Sequence, residues 1–491
     1  MRTAEAGDPA ISPGGGPTAP LPPRSPAPRL GALATVIIIG SVMIVLDTTI
    51  VAIAYPTLAR EFGAAITTVQ WVSSGYTLAL AAVIPTAGWA MGRFGSRRVY
   101  LTAVAAFTVG SALAGLAWNM ESLIAFRVLQ GLAGGLVSPV GMAVMLQAAA
   151  RRGSDNGKVM SLLGIPILIG PLTGPVLGGL LIDSVSWRWM FLINVPVGVL
   201  AVLLAVRLLP RDAPRSGQRL DLPGLLMLSP GLGAFIYGLT RGAEGESGMT
   251  SAEALVPTAA GLVLITAFAV RALRTTAPLV RLRLLAERRL AVGVATVFLF
   301  ATGYFGSMML APIYFQSVRG ASVLTAGLMG APLALASGTV MQFATRLTDR
   351  VAPRYIVVPG VLLGAAGFAG FALQAQADTP YWRLMIALIV IGAGGGMTLM
   401  PSIAAATRGL PPDQAPAAST LIAIFSQIAA SVGAAAVSLL MSRRLTESFT
   451  QAGPETMTQA VRHAYLWPMA AVLLALIPAL LSSRRRPERT R

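Results

Sequence analysis

Long apolar runs, separated by short polar or basic segments, make up most of this 491-residue chain. A helix needs about 20 apolar residues to cross the hydrocarbon core of a membrane. The chain contains about fourteen runs that approach this length, and each predicts one membrane-spanning helix. The predicted spans lie near residues 33–57, 72–91, 99–118, 122–147, 160–182, 188–208, 221–240, 253–273, 291–315, 324–345, 355–375, 382–407, 417–441 and 464–483.

Composition supports a membrane protein and argues against most soluble enzymes. Hydrophobic residues make up 55% of the chain and charged residues 11%, whereas soluble proteins carry about a quarter charged residues. The absence of cysteine excludes disulfides, zinc–thiolate sites and a cysteine nucleophile. A single histidine, His463, argues against a histidine-ligated metal or a Ser-His-Asp triad. We therefore expect no cofactor.

The net charge of +18 comes mostly from arginines clustered between the apolar runs. This distribution is typical of the cytoplasmic loops of multi-pass membrane proteins, and it argues against nucleic-acid binding. With the N-terminus inside, most basic residues fall in cytoplasmic segments and most tryptophans near the outer interface. We therefore predict a protein of the cell membrane with both termini in the cytoplasm.

A faint internal repeat follows the second and the tenth predicted spans. The sequence GWAMGRFGSRR covers residues 88–98, and TRLTDRVAPR covers residues 345–354. Aligning the two pairs Arg93 with Arg350. Repeated halves around a site at the membrane midplane are typical of secondary transporters. The loop-motif residues are Gly88, Arg93, Gly95, Arg97, Arg98, Asp349 and Arg350.

The repeat divides an all-α polytopic membrane protein into two halves of six predicted spans, with spans 7 and 8 inserted between them. The N-terminal tail is rich in proline, glycine and alanine and is predicted to be disordered. The sequence leaves the role of the inserted helices open. The predicted organisation is a cytoplasmic tail (1–30), a first half (31–210), two inserted helices (211–280), a second half (281–483) and a basic cytoplasmic tail (484–491).

A single carboxylate, Asp47, lies inside the first apolar run, and Arg127 is the one basic residue well inside a predicted span. A charge at the centre of a span costs about 2.5–3.5 kcal/mol. Burial raises the pKa of a carboxyl group and a nearby cation lowers it, so a balance of the two allows proton exchange. We expect Asp47 to be a proton site with Arg127 as its counter-charge. The alternative is a permanent ion pair that only fixes the first and fourth helices.

Polar and aromatic side chains inside the spans are candidates for lining a substrate cavity, which needs mainly apolar walls with few polar groups. For each of them, hydrogen bonding between helices is the alternative role. No second acid lies mid-membrane in spans 9–14, which favours monovalent lipophilic cations, zwitterions or neutral compounds as substrates. The candidates are Gln130, which shares a helical face with Arg127, and Tyr76, Asn194, Tyr304, Tyr314, Gln342 and Gln427.

In the fifth predicted span, glycines recur every four residues beside two prolines. The residues are Gly170, Pro171, Gly174, Pro175 and Gly178. Small residues on one face let helices pack closely, and prolines free backbone carbonyls and bend a helix. The pattern fits either plain packing or a kinked gate that prevents proton leak without exchange, and the spacing does not decide between them.

Four motifs, in order along the chain, resemble those of the fourteen-span drug:proton antiporters (QacA/EmrB type) of the major facilitator superfamily. LDTTIVAIAYP resembles the first-span signature of that family, with Asp47 at its acidic position. RVLQGLAGG resembles the fourth-span motif with its Arg and Gln. GPLTGPVLGG resembles the fifth-span antiporter motif, and WRWMFLINVPVG follows it. The motifs cover residues 46–56, 127–135, 170–179 and 187–198.

The resemblance extends over nearly the whole chain from residue 33. It implies the major facilitator fold, with two six-helix halves plus two inserted helices, or 14 transmembrane helices. It also implies a monomeric antiporter, surrounded by membrane lipids, that exports small lipophilic drugs or antibiotics in exchange for protons. The proton gradient would be the energy source, and the glycines and prolines of the fifth span would form a gate.

One position departs from the family pattern. The loop after the second span normally carries an aspartate where this chain has Gly92, whereas the second copy keeps its acid, Asp349. In the family this loop helps to hold the outward-facing state. We therefore expect the first copy to be a weaker latch, or to depend on Arg93, Arg97 and Arg98 contacting a helix C-terminus.

Other functions fit the sequence less well. A proton-coupled importer or a uniporter of a dedicated small molecule would share the fold, but the Gly/Pro pattern of the fifth span favours export. A lipid translocator, which takes substrate sideways from the leaflet, stays an alternative. An intramembrane enzyme lacks a catalytic His, Cys or acid pair. An ATP-driven pump lacks the G-x-x-x-x-G-K-[ST] phosphate loop.

Overall fold

The computed structural model describes residues 30–51, 54–152, 156–211, 219–244, 250–376, 378–444 and 454–482, and these are almost entirely helical. The first group of helices comprises α1 (Leu30–Val51), α2 (Tyr55–Phe62), α3 (Ile66–Val69), α4 (Trp71–Val83), α5 (Ala87–Phe94), α6 (Ser96–Gly115), α7 (Met120–Arg152), α8 (Asn156–Leu163), α9 (Ile165–Ser184), α10 (Trp189–Leu192) and α11 (Asn194–Leu208). A long helical pair follows, α12 (Leu222–Glu244) and α13 (Ala252–Arg274).

The remaining helices are α14 (Arg288–Ser307), α15 (Leu310–Ile313), α16 (Val323–Met329), α17 (Ala331–Leu347), α18 (Arg354–Gln374), α19 (Tyr381–Ala406), α20 (Ala415–Arg444), α21 (Pro454–Ala464), α22 (Leu466–Leu474) and α23 (Leu476–Leu481). Short 3₁₀ segments at Ile84–Thr86 and Leu282–Ala286 and a π-helical turn at Tyr314–Val318 connect some of them. The predicted tails, 1–30 and 484–491, lie outside the described residues except for Leu30.

Twelve helical stretches in the described part of the chain are long and apolar enough to cross a membrane. Each coincides with a predicted span. The other two predicted spans, 72–91 and 160–182, fall on α4 and α5 and on α8 and α9, respectively. The count of fourteen therefore stays a prediction, as do the boundaries of the two halves.

Prolines account for several of the interruptions within the predicted spans. A proline has no N–H to donate to the carbonyl four residues earlier, so the preceding turn loses a helical hydrogen bond. Pro85 lies in the 3₁₀ turn between α4 and α5. Pro166 lies in the first turn of α9, and Pro332 in the first turn of α17. Pro196 follows the junction of α10 and α11. This last break matters because α11 begins with Asn194.

The pair α12 and α13 packs together, and α12 also contacts α4 of the first group and α20 of the last group. The helix α13 packs mainly on α12, and much of its apolar surface is exposed. Elsewhere, α17 contacts α8 and α9, and α20 contacts α5 and α7. The pair of α12 and α13 therefore attaches where the first and last groups of helices meet.

Candidate functional site

Asp47 and Arg127 form an ion pair in the interior of the helix bundle. Arg127 Nη1 lies 2.5 Å from Asp47 Oδ2, and both residues are 0% exposed. The carboxylate belongs to α1, which continues through Asp47 to Val51, and the guanidinium belongs to α7. The structure thus brings together the two intramembrane charges that the sequence identified. Because each charge is desolvated, their attraction has to offset a large cost of burial.

Two amide side chains complete the surroundings of the carboxylate. Gln130 Nε2 and Asn194 Nδ2 each donate a hydrogen bond of 3.0 Å to Asp47 Oδ1. Gln130 Oε1 accepts a bond of 2.7 Å from Arg127 Nη1, which fixes the orientation of this amide. Three donors therefore converge on the two oxygens of Asp47. Such an arrangement suits the ionised form, since a carboxylate only accepts hydrogen bonds.

The guanidinium of Arg127 is held on its other sides by α4 and α10. Arg127 Nε donates to the backbone carbonyl of Val72 at 3.1 Å. Its Cζ lies 4.2 Å from the ring centroid of Tyr76 and 5.6 Å from that of Phe191. A cation over an aromatic face is stabilised by the ring quadrupole, more strongly when water is excluded. Tyr76 therefore packs against the ion pair, where the sequence predicted a cavity wall.

Ser111 of α6 joins the network through Asn194. Asn194 Nδ2 donates to Ser111 Oγ at 3.0 Å, and Ser111 Oγ donates to the carbonyl of Phe191 at 2.9 Å. That carbonyl lies at the junction between α10 and α11, so the hydroxyl satisfies a backbone group at the helix break. The sequence placed Asn194 in a substrate cavity and did not identify Ser111. We call Asp47, Arg127, Gln130, Asn194, Ser111 and Tyr76 the Asp47 cluster.

Glycines bring the helices of this cluster close together. A Cβ added at Gly110 of α6 would lie 3.1 Å from Cα of Gln130. A Cβ added at Gly174 of α9 would overlap the side chain of Thr49, which lies on α1 two residues after Asp47. The predicted gate residue Gly174 therefore packs on the helix that carries the buried carboxylate.

The other predicted gate residues also lie on α9. The helix is continuous from Ile165 to Ser184 and includes Gly170, Pro171, Pro175 and the buried Gly178. The side chains of Pro171 and Pro175 lie outside the described part of the chain.

Four further cavity candidates lie apart from the Asp47 cluster. Tyr304 is buried on α14 and stacks on Phe300, with ring centroids 5.9 Å apart. Tyr314 donates to the carbonyl of Gln376 at 2.5 Å, and Gln342 Nε2 donates to that of Ser161 at 2.7 Å. Both side chains thus make the hydrogen bonds between chain segments that were the alternative to a cavity role. Gln427 is half-buried on α20.

The first copy of the loop motif connects α5 and α6. Gly95 has a φ of 85°, a backbone conformation that favours glycine, and ends α5. Arg97 donates to the carbonyl of Val206 in the last turn of α11, so an arginine of this copy does contact a helix C-terminus. Arg93 and Arg98 are exposed. Gly88 packs on α20, where an added Cβ would lie 3.3 Å from Thr420 Oγ1.

The second copy makes charged contacts with other parts of the chain. Asp349 Oδ1 accepts hydrogen bonds of 3.0 Å from the backbone N–H of Gly157 and from Arg408 Nη2. Gly157 lies in the first turn of α8, where a carboxylate is favoured by the helix dipole. Arg350 is exposed. The ion pair with Arg408 therefore belongs to the copy that keeps its acid, Asp349. The first copy has Gly92 at the corresponding position.

No group of three or more acidic or histidine side chains in the described ranges could hold a metal ion. The groups that the Asp47 cluster offers are a buried carboxylate, its cation and the polar side chains around them.

Comparison with known proteins shows which family the chain resembles. A model of the Major Facilitator Superfamily matches residues 37–434. The chain is 40% identical over 417 residues to the "Multidrug resistance protein B homolog" of Mycobacterium tuberculosis, covering 84% of this chain and 77% of that protein. It is 32% identical over 469 residues to the puromycin resistance protein pur8 of Streptomyces alboniger, covering 94% and 92%.

Solved structures share the fold at low sequence identity. The human organic anion transporter MFSD10 superimposes with a TM-score of 0.60 at 15% identity, over 91% of this chain and 100% of that chain. The proton:xylose symporter XylE gives 0.60 at 16% identity, over 91% and 94%. Family and fold together mark a multi-pass membrane transporter.

Proposed function

This chain belongs to the Major Facilitator Superfamily, and we propose that it exports lipophilic drugs or antibiotics across the cell membrane in exchange for protons. The buried Asp47–Arg127 pair carries the proposal. An ion pair in an apolar interior is commonly no more stabilising than apolar residues of the same size. Its presence therefore favours a function for the charge itself, namely the binding and release of a proton.

The proposed substrates are lipophilic compounds with at most one positive charge. Relatives of this chain carry names that refer to multidrug and puromycin resistance. Asp47 is 0% exposed and already accepts three hydrogen bonds, so in this conformation it offers no free oxygen to a substrate cation. Substrate and proton would then compete through a change in conformation of the Asp47 cluster.

In this proposal, α9 is the gate. The contact between Gly174 and Thr49 joins α9 to α1 close to Asp47. Since the two backbones approach this closely only because residue 174 has no side chain, a shift of α9 would displace α1. Access to Asp47 and movement of the gate would thereby be linked.

The second loop copy is proposed to act as the cytoplasmic latch. It connects the segment after α17 to the start of α8 through Asp349 and Gly157, and Gln342 adds a bond to Ser161. The first copy, with Gly92, would contribute less. The proposed topology has fourteen spans in a monomer with both termini in the cytoplasm.

The test is ethidium transport into inside-out membrane vesicles under an imposed pH gradient, with wild type compared to Asp47→Asn. We expect gradient-driven uptake by the wild type and none by Asp47→Asn, although the variant still binds ethidium. Asp221→Asn is a matched control, because it makes the same change in another buried aspartate that pairs with an arginine, outside the Asp47 cluster, and it should transport normally. Equal transport by Asp47→Asn and wild type would refute the proton role. Transport by neither would favour a dedicated substrate or a lipid.

A further inference from the structure

The hydrogen bonds of the Asp47 cluster determine which oxygen can take a proton. Asp47 Oδ2 faces the guanidinium of Arg127 at 2.5 Å. A proton placed there would point at a cation that has only donors. Asp47 Oδ1 faces two neutral amides, Gln130 and Asn194. The proton is therefore better accommodated on Oδ1.

A proton on Oδ1 conflicts with the present orientation of the amides. Both now donate to that oxygen, but a neutral carboxyl group needs an acceptor for its own O–H. At least one amide must turn to present its oxygen. Turning Gln130 would remove the acceptor that its Oε1 provides to Arg127 Nη1 at 2.7 Å, which leaves a charged donor without a partner. Gln130 is thus held in place by Arg127.

Turning Asn194 breaks no hydrogen bond to a charged group other than the one to Asp47, unlike turning Gln130. Its Nδ2 bonds only Asp47 and Ser111 among its described partners, and Ser111 keeps its own bond to the carbonyl of Phe191 in either case. Turning the amide by half a rotation replaces the bond to the carboxylate with one from the new O–H to Asn194 Oδ1. The net loss is a single hydrogen bond, the one between Asn194 and Ser111.

We infer that Asn194 is the residue that senses the proton on Asp47. A proton from solution binds Oδ1, the carboxyl group becomes neutral, and Asn194 turns to accept the new O–H. The bond from Asn194 to Ser111 then breaks, and α11 loses a polar connection to α6 next to the junction with α10. Asn194 is therefore a positioning residue that transmits protonation from α1 to α11. The inference rests on the proposed role of Asp47 as the proton site.

Asp47 has few charged or titratable neighbours among the described residues. Among the described residues of the helices packed on α1, the charged or titratable side chains that face Asp47 are Arg127 and Tyr76. Arginine stays charged at all relevant pH values, and tyrosine ordinarily stays neutral below about pH 10. Neither neighbour changes its charge on acidification from neutral pH, so a pH-dependent change at this site would report on Asp47.

The test uses infrared difference spectroscopy of the purified protein in lipid, recorded as the pH is lowered. In the wild type we expect a neutral carboxyl C=O band together with a change in a side-chain amide C=O band. Asp47→Asn should abolish the carboxyl band. Asn194→Leu removes the amide at similar size, so it should lose the amide band and shift the midpoint of the carboxyl band. A bond is then lost from each protonation state, and the bond to the ionised carboxylate is the stronger of the two.

Two further variants separate sensing from general damage. Ser111→Ala removes the bond that is broken when Asn194 turns, so it should shift the midpoint by less than Asn194→Leu does. It also tests the inference if Asn194→Leu does not fold. Thr108→Val is the matched control, since Thr108 packs on Gly198 at the same α6–α11 contact and donates only to Val104 of its own helix. Its spectrum and midpoint should equal those of the wild type.

The outcomes are distinguishable. A carboxyl band that depends on Asp47, with the same midpoint in Asn194→Leu, Ser111→Ala and Thr108→Val as in the wild type, overturns the role of Asn194 and leaves the proton site intact. The absence of any carboxyl band that Asp47→Asn removes overturns both this inference and the proposed proton role.

Discussion

Two aspartates with buried carboxylates, Asp47 and Asp221, satisfy those carboxylates in different ways. Asp47 receives its hydrogen bonds from the side chains of Arg127, Gln130 and Asn194. Asp221, at the start of α12, receives one from Arg271 and two from backbone N–H groups, those of Gly224 and Leu279. The first set of donors lies in the interior of the bundle, whereas the second lies where a helix begins.

The two sets of donors differ in whether they can reorient. Backbone N–H groups in a helix turn or a connection cannot reorient without a change in the chain path, so two of the three donors to Asp221 are fixed. Side-chain amides reorient by rotation about single bonds, so the donors of Asp47 can respond to its charge. A carboxylate held by side chains therefore suits exchange of a proton, and one held by the backbone suits a permanent structural role.

The largest effect is expected from Arg127→Met, which leaves Asp47 buried without its cation. Loss of one partner of a buried ion pair costs about 3–5 kcal/mol, so the variant should unfold at a much lower temperature in detergent and should not transport. The double variant Asp47→Leu with Arg127→Met should recover most of the stability but no gradient-driven transport. Transport by the double variant would contradict a role for the pair beyond packing.

A smaller effect is expected at the contact between α9 and α1. Gly174→Ala places a Cβ on the side chain of Thr49, and such overpacking costs about 1–3 kcal/mol. Vesicle transport should fall sharply while the amount of protein in the membrane stays near that of the wild type. Combining it with Thr49→Gly, which frees the space, should restore transport. Failure of this rescue would show that residue 174 does not act through Thr49.

At the second loop copy the expected effect is smaller again. Asp349→Asn removes the charge that Arg408 and the N-terminus of α8 stabilise, which is worth about 1 kcal/mol at a partly exposed site. Since the chain has no cysteine, the pair Ser161→Cys and Gln342→Cys can report contact between α8 and α17 by cross-linking. The yield should fall several-fold with Asp349→Asn and stay unchanged with the neighbouring Arg350→Gln. An unchanged yield in Asp349→Asn would argue against a latch.

The smallest effect on transport is expected at Asp221, which lies outside the Asp47 cluster. Burial raises its pKa, but the hydrogen bonds from Arg271 and two backbone N–H groups outweigh burial and lower the pKa below its usual value. A lowered pKa in the folded state stabilises the protein above the unfolded-state value of about 3.9, and this contribution is lost as the pH falls through the folded-state value.

Asp221→Asn should accordingly lower thermal stability at neutral pH, by about 1 kcal/mol because Arg271 is partly exposed. The difference from the wild type should disappear as the pH is lowered below the folded-state pKa. Melting curves at several pH values test this, and a difference that persists in acid would contradict the ionised form as its source.

The sequence identified the charges of the site better than its neutral partners. Asp47 and Arg127 are conspicuous because ionised residues inside apolar runs are rare. Ser111 is not, since a hydroxyl in a membrane helix usually bonds the carbonyl of its own preceding turn. Ser111 reaches Phe191 only because the chain breaks between α10 and α11, and residue spacing does not encode that contact.

Residue spacing also fails to show why polar side chains lie inside apolar spans, so several of them were predicted to line a cavity. Asn194, Tyr314 and Gln342 are polar groups in apolar surroundings, and sequence alone does not say whether such a group faces a substrate or a neighbouring helix. In the structure their partners are a carboxylate and two backbone carbonyls. The helical segments were easier to predict, because the minimum length of a spanning apolar run is set by membrane thickness.

The position of α12 has a consequence for molecules dissolved in the bilayer. This helix contacts both α4 and α20 and carries α13 on its outer side. A compound that diffuses within a leaflet toward α12 meets the apolar surface of α12 and α13 before it reaches the contact between α5 and α20. At the other contact between the two groups of helices, where α17 meets α8 and α9, the described residues of α12 and α13 give no comparable cover. The two sides of the transporter therefore present unequal routes of lateral approach to a lipid-soluble compound.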